Sequence, residues 1–333
     1  MTYSKNSNPA INTVGDYLKS EFGTKTVKLS IDGGFTCPNR DGSKGLGGCI
    51  FCSADGSGEM ASTLFTGHES SDCSDCSNTF EAGISEQIAL LSDKWPNAKY
   101  IAYFQNHTNT YAPIRELRAK FYAALSHPQI SGIAIATRPD CLPDDVLMLL
   151  EEINREHFMW VELGLQTIHE KTANLINRCC TLGDYDRAIV ELTRRNIKVV
   201  THLILGLPGE SREDMFASVK YVCNQGNSHE EAQPSTMPSV WGLKLHLLNV
   251  VKGSQMETLM PNYQSFNSPE EYINLVVDLL EIIPPQIVMH RLTADAPRKI
   301  LMTPEWSYKK RTILNGINAE LKRRGSYQGC KQR

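Results

Sequence analysis

The 333-residue sequence predicts an α/β protein in which a parallel sheet is covered by helices. Two observations carry this. Strand-like and helix-like segments alternate six or more times, and short apolar runs such as IAYF and HLILGL suit strands buried on both faces. Strands are expected at 26–31, 100–105, 132–137, 158–165, 199–205, 242–249 and 287–292. Helices are expected at 84–95, 114–125, 144–155, 169–176, 183–195, 212–224, 269–283 and 307–324. Right-handed crossovers allow a barrel or an open doubly wound sheet, and the pattern alone does not choose between them. The chain shows no internal repeat. Its polar stretch 226–238 is the best candidate for a flexible insert.

The organisation read from the pattern is an N-terminal extension over 1–25, a main α/β unit over 26–297 and a basic helical C-terminal extension over 298–333. From Arg298 onward there are ten basic residues against Glu305 and Glu320, although the whole chain is at −3. A basic end on an acidic body points to a local polyanion contact, with a solvated terminal helix as the plainer alternative. No run of 18 or more apolar residues appears, which argues against a membrane span. The polar start lacks the apolar core of a signal peptide, so a cytoplasmic location is expected.

Ten cysteines are many for such a chain, and five lie between Cys37 and Cys76. Without a secretory signal, metal binding or catalysis explains them better than disulfides. Cys37, Cys49 and Cys52 are spaced C-x11-C-x2-C in a Gly-rich stretch after the first strand. A structural zinc site takes four protein ligands. A cubane cluster has four irons, so three thiolates leave one iron open for chemistry. Gly45, Gly47 and Gly48 would let the backbone wrap closely and donate N–H groups to cluster sulfides. Phe51 would shield the cluster from water. The alternative is a zinc or iron knuckle completed by Cys73, Cys76 or His68.

Three cysteines ending in C-x-aromatic-C, here Cys49-Ile50-Phe51-Cys52, resemble the signature of the radical S-adenosylmethionine (SAM) superfamily. The first spacing, eleven residues against the usual three, is similar to the branch that holds the Elongator catalytic subunit and a related bacterial group. The phrases FQNHTNTYAP, IATRPDCLP, WVELGLQTIH, HLILGLPGE and HRLTADAP match that bacterial group from about residue 25 to 310. The resemblance implies an incomplete (β/α)6 barrel, TIM-like and open at one side. It implies a [4Fe–4S] cluster on Cys37, Cys49 and Cys52, with the open iron chelating the methionine part of SAM. Reductive cleavage would give a 5′-deoxyadenosyl radical that takes hydrogen from substrate. Ferredoxin-type clusters sit near about −400 mV, so a flavodoxin or ferredoxin is expected as electron donor.

In such a barrel the strand C-termini face the active site. Gln105, Asn106 and Thr108 follow the second strand, where the fold usually contacts the SAM amino group. Glu162 shares a strand face with Gly164, and its carboxylate would find partners in ribose hydroxyls. Gln166 would reach ribose or carboxylate. His202 and Gly206 end the next strand, with Gly206 allowing close approach, expected to be to adenine. Arg138 could pair with a carboxylate or phosphate. Lys244 and His246 alternate inward and could face substrate. Arg291, Asp295 and Arg298 flank the last strand and suit an anionic substrate. The Elongator resemblance implies a wobble uridine side chain of tRNA as substrate, with the basic tail on the phosphate backbone. A small-molecule substrate, or a non-enzymatic metal- or RNA-binding module, are the alternatives.

Overall fold

A computed structural model describes residues 10–53, 56, 62–63, 73–224 and 240–332. The expected insert at 226–238, and the side chains of Cys73 and Cys76, lie outside what is described. The chain begins with α1 (Val14–Phe22) and β1 (Thr26–Asp32), then β2 (Ser62–Thr63), α2 (Cys73–Ser92) and β3 (Lys99–Phe104). It continues through α3 (Ile114–Leu125), β4 (Ile130–Thr137), α4 (Asp144–Glu156), β5 (Phe158–Gln166), α5 (Glu170–Leu175) and α6 (Leu182–Arg194). β6 (Lys198–Leu205), α7 (Arg212–Asn224), β7 (Gly242–Leu247), β8 (Val250–Val251) and α8 (Gln255–Leu259) follow. The chain closes with α9 (Pro269–Ile282), β9 (Val288–Arg291), β10 (Leu301–Thr303) and α10 (Lys310–Arg324).

One sheet runs in the order β2-β1-β3-β4-β5-β6-β7-β9, and its neighbours pair in parallel. All seven expected strands are in it. The sheet is curled. β3 and β7 are four strands apart, which in a flat sheet is about 19 Å. Yet Lys244 Nζ on β7 donates to Tyr103 Oη on β3 at 2.8 Å. Among the described residues β2 and β9 do not pair, so this is a partial barrel, open at one side.

Alternation along the strands sorts side chains by face. Leu29, Ile31, Ile133, Ile135, Val161, Leu163, Val199 and Leu245 point outward into the core beneath the helices. Ile101, Ala134, Trp160 and Val200 point inward at the N-terminal half of the strands. There α1 seals the lumen. Its Leu18 is buried in that cluster, with Val14, Tyr17 and Phe22 packed beside it. Thr13 caps the helix through Asp16 N, and Gly23 ends it in the left-handed region.

Three features depart from the pattern reading. The start of the chain carries α1, which its few apolar residues did not announce. α2 begins about a dozen residues before the expected start, because 73–83 lacks an apolar helical period. An antiparallel pair, β8 with β10, was not foreseen; each strand is too short to show alternation.

Candidate active site

The cysteine loop follows β1 and is strapped down by asparagine side chains. Asn177 Nδ2 donates to the carbonyls of Leu46 (3.2 Å) and Gly48 (2.8 Å). Asn39 Nδ2 donates to Asn177 O at 2.5 Å and lies 3.7 Å from Cys49 Sγ. Gln255 Nε2, from α8, holds Gly47 O at 2.9 Å. Ile50 is the apolar anchor: it packs among Ile176, Leu207, Leu248, Val250 and Met256, with Phe51 half-buried at the edge. Gly48 has φ 79°, and a Cβ there would come 3.0 Å from Arg40 Nε, so this position needs glycine. The expectation that Gly45 and Gly48 donate to cluster sulfides is corrected. Their N–H groups are spent on Pro38 O (3.2 Å) and Asn39 O (2.7 Å), which shape the loop.

Cys37, Cys49 and Cys52 line one open pocket at the C-terminal ends of the strands. The hydrogen bond from the Cys52 thiol, helped by Arg138, Asn39 and Arg178, overcomes burial and lowers the Cys49 thiol to about 7. Elsewhere burial dominates: Cys180 is pushed up to about 11, and Cys141 and Cys223 to about 12. Thiolate is the metal-binding form, so the loop favours it at Cys49, while the hydrogen bond to Cys49 and burial hold the Cys52 thiol well above its usual range.

The opposite wall is the polar half of the barrel lumen. Glu162 is fully buried on β5. It accepts from Tyr103 Oη (2.6 Å), Trp160 Nε1 (2.9 Å), His202 Nε2 (2.8 Å) and Lys244 Nζ. Burial opposes its charge, but Lys244, His202 and Lys28 outweigh it and hold the carboxyl well below its usual range. Desolvation, with Lys244 beside it, drops His202 to about 4, and burial lowers His246 and His290 as well, so all three imidazoles are neutral at pH 7. Burial and the Glu162 carboxylate raise Tyr103 well above 10, so its phenol stays protonated.

The structure brings most of the expected residues together. Gln105, Thr108, Arg138, Glu162, Gln166, His202, Lys244, His246, Arg291 and Asp295 all line the cysteine pocket. Asn106 and Gly206 are buried outside its lining, and Arg298 stacks on Tyr308 at 4.7 Å. Several of them have partners other than those expected. Glu162 finds its hydrogen bonds in the protein. A Cβ at Gly206, φ 83°, would meet Ser265 and Phe266 at 2.7 Å, so the close approach there is to the chain's own loop. Arg138 pairs with Asp140 (2.9 and 3.0 Å) and also caps Arg178 O and Cys179 O. Asp140 in turn holds Lys44, tying the end of β4 to the cysteine loop.

Sequence reasoning missed Tyr103, Arg178, Cys180 and Asn249, which also line the pocket. Arg178 is 1% exposed and donates to Leu165 O, Thr167 O and Cys180 O. The strand period places Tyr103 inward, beside Gln105; nothing local marks the other three.

The residues fit a cluster with a polar ligand at its open corner. The donor set is three thiols, one biased towards thiolate. Three buried polar atoms of the pocket lining, Thr108 Oγ1, His246 Nε2 and Asn249 Oδ1, have no partner among the described residues. Buried groups left so are expected to be satisfied by a ligand or water.

A pocket lined by three cysteines at the C-terminal mouth of an open parallel barrel defines a class, and comparison agrees. Residues 37–222 match the Radical SAM superfamily, and 240–323 match the Radical_SAM C-terminal domain. The chain belongs to the radical SAM superfamily, whose members are enzymes that use a [4Fe–4S] cluster and S-adenosylmethionine. It is 42% identical to YtqA of Bacillus subtilis over 97% of this chain and 93% of that one. It is 35% identical to YhcC of Escherichia coli, covering 95% and 93%. Elongator complex protein 3 of Schizosaccharomyces pombe is 27% identical over 54% of this chain and 31% of that protein. The structure superposes on archaeal Elp3 of Methanocaldococcus infernus with TM-score 0.62 and 16% identity, covering 91% of this chain and 64% of that one, which shows the shared fold. No helix among the described residues is long and apolar enough to cross a membrane.

Proposed function

We propose that this radical SAM enzyme remodels the side chain of a wobble uridine in tRNA, in the cytoplasm, with a flavodoxin or ferredoxin as electron donor. The observation that carries the chemistry is the single pocket shared by Cys37, Cys49, Cys52 and the polar barrel wall. Similarity to Elongator complex protein 3 supports the tRNA reading.

Cys37, Cys49 and Cys52 hold the cluster, and Gln105, Thr108 and Gln166 offer hydrogen bonds to SAM. When bound, these groups supply reductive sulfonium cleavage and hydrogen abstraction. The chain's own task is placement and exclusion of water. Tyr103, Glu162, His202 and Lys244 form a bonded set that fixes the barrel wall. His246 presents a neutral, unpartnered nitrogen to the substrate end, and Arg291 sets a cation beside it.

Anaerobic reconstitution should give a brown protein absorbing near ~400 nm that forms deoxyadenosine from SAM under dithionite. Nucleoside mass spectrometry on tRNA from a deletion strain should show a changed wobble uridine. Unaltered wobble nucleosides would remove the tRNA reading while leaving the radical chemistry in place.

A further inference from the structure

The basic C-terminal extension splits into two halves that the sequence does not distinguish. In the distal half the charge is consumed. Arg324 bonds Asp278, Glu320 and Asn274, tying α10 to α9. Arg323 is paired with Glu320, and Lys331 with Glu281. Among the described residues of that half, only Lys322 lacks an acidic partner.

The proximal half is different. Arg298, Lys299, Lys309 and Arg311 are exposed. Lys310 reaches Asp295, a residue of the pocket lining, at 2.5 Å. Exposed Lys252 joins them, because its backbone N donates to Ile300 O at 2.8 Å and it follows Val251, another pocket residue. Among the described residues only Lys310 of these six cations has an acidic partner, Asp295. Between two of them lies an exposed aromatic ring: Arg298 and Lys309 sit over Tyr308 at 4.7 and 5.7 Å. Clustered cations track a phosphate backbone, and the Arg298 guanidinium lying over the half-exposed Tyr308 ring adds a planar surface on which a base can stack. An acidic protein would use the charges but has no need of the ring.

We propose that this rim, from Lys252 through Arg298–Arg311, is where the RNA backbone flanking the target nucleotide docks, and that the distal half of α10 is a structural clamp. This rests on the tRNA reading and adds the face and the orientation. A strand held on the rim passes the mouth of the pocket at Asp295 and Ala296, so a single unstacked nucleotide can enter towards the cysteine loop.

The test is binding of tRNA purified from a deletion strain, measured by fluorescence anisotropy between 50 and 200 mM salt. It compares wild type, the rim variant Lys299→Ala/Lys309→Ala/Arg311→Ala and the distal variant Lys322→Ala/Arg323→Ala. All the substituted residues are exposed, and unchanged melting curves confirm folding. The rim variant should bind at least tenfold more weakly, with the log–log salt slope reduced by about 2. The distal variant should stay within twofold of wild type. Equal losses in both variants, or none in the rim variant, overturn the proposal. So does a rim variant that binds tRNA normally but is reduced more slowly by flavodoxin, which would make the rim an electron-donor surface. If wild type binds no tRNA at all, the substrate reading itself fails.

Discussion

The two ends of the barrel lumen are built by the same strands and are both buried, yet they differ in kind. At the N-terminal end Ile101, Ala134, Trp160 and Val200 meet Leu18 of α1, and the contact is apolar throughout. Two residues further along the strands, Tyr103, Glu162 and His202 hold a buried carboxylate among donors beside Lys244. Burial at the closed end is stabilising by itself. At the open end it is tolerated because the Glu162 carboxylate is paired with Lys244 and hydrogen-bonded by Tyr103, Trp160 and His202. The lumen is thus a plug at one end and a prepared polar wall at the other.

The comparison can be broken in several ways. The largest effect is expected at the open end. Cys49→Ala should abolish cluster uptake, from about four irons per chain to below one, with loss of the ~400 nm band. Cys223→Ala, in the outer core, should retain both; equal loss in the two variants would show that the cysteine loop holds no special site.

Next comes the buried pair. Lys244→Met strands the Glu162 carboxylate and should cost about 3–5 kcal/mol in urea unfolding, with much of it recovered in Glu162→Gln/Lys244→Met. No recovery would mean that Lys244 acts through packing alone. At the closed end Leu18→Ala should cost about 2–5 kcal/mol, while iron content and SAM affinity stay unchanged; a loss of SAM binding would show that the ends are coupled.

The smallest effect concerns pH. His202 is held at about 4, below its ordinary value of 6.5, so the unfolded chain binds the extra proton between those limits. Stability should therefore fall as pH drops from 6.5 towards 4, by at most about 3 kcal/mol from this residue. His202→Gln should flatten that slope. Lys244, Arg291, His246 and Glu162 surround His202, so the remaining slope reports on those neighbours.

Much of this was legible beforehand where the signal is local. The strand alternation of FMWVELGLQ put Glu162 on one face and Val161 and Leu163 on the other, and the structure turns the first inward and the second outward. The cysteine spacing marked the loop. What could not be read was who meets whom. Arg138 was open to a ligand carboxylate or phosphate until Asp140 was seen two residues away on the same turn. Glu162 was expected to depend on ribose hydroxyls, but its partners come from β3, β6 and β7 as well as its own strand, and Tyr103 and Lys244 are 141 residues apart in the chain. The basic tail looked uniform because Asp278 and Glu281, which neutralise its far half, belong to α9.

By itself the sequence determined the alternation of the seven long strands with their helices, which strand residues share a face, and a set of three thiols that leaves one iron of a cluster open. These follow from side-chain period and spacing, which are properties of neighbouring residues. Only the tertiary structure decided that α1 plugs the lumen, that Glu162 is satisfied from within, and which basic residues remain open at the pocket mouth. Each of these depends on the curl of the sheet, which brings distant strands within hydrogen-bonding reach.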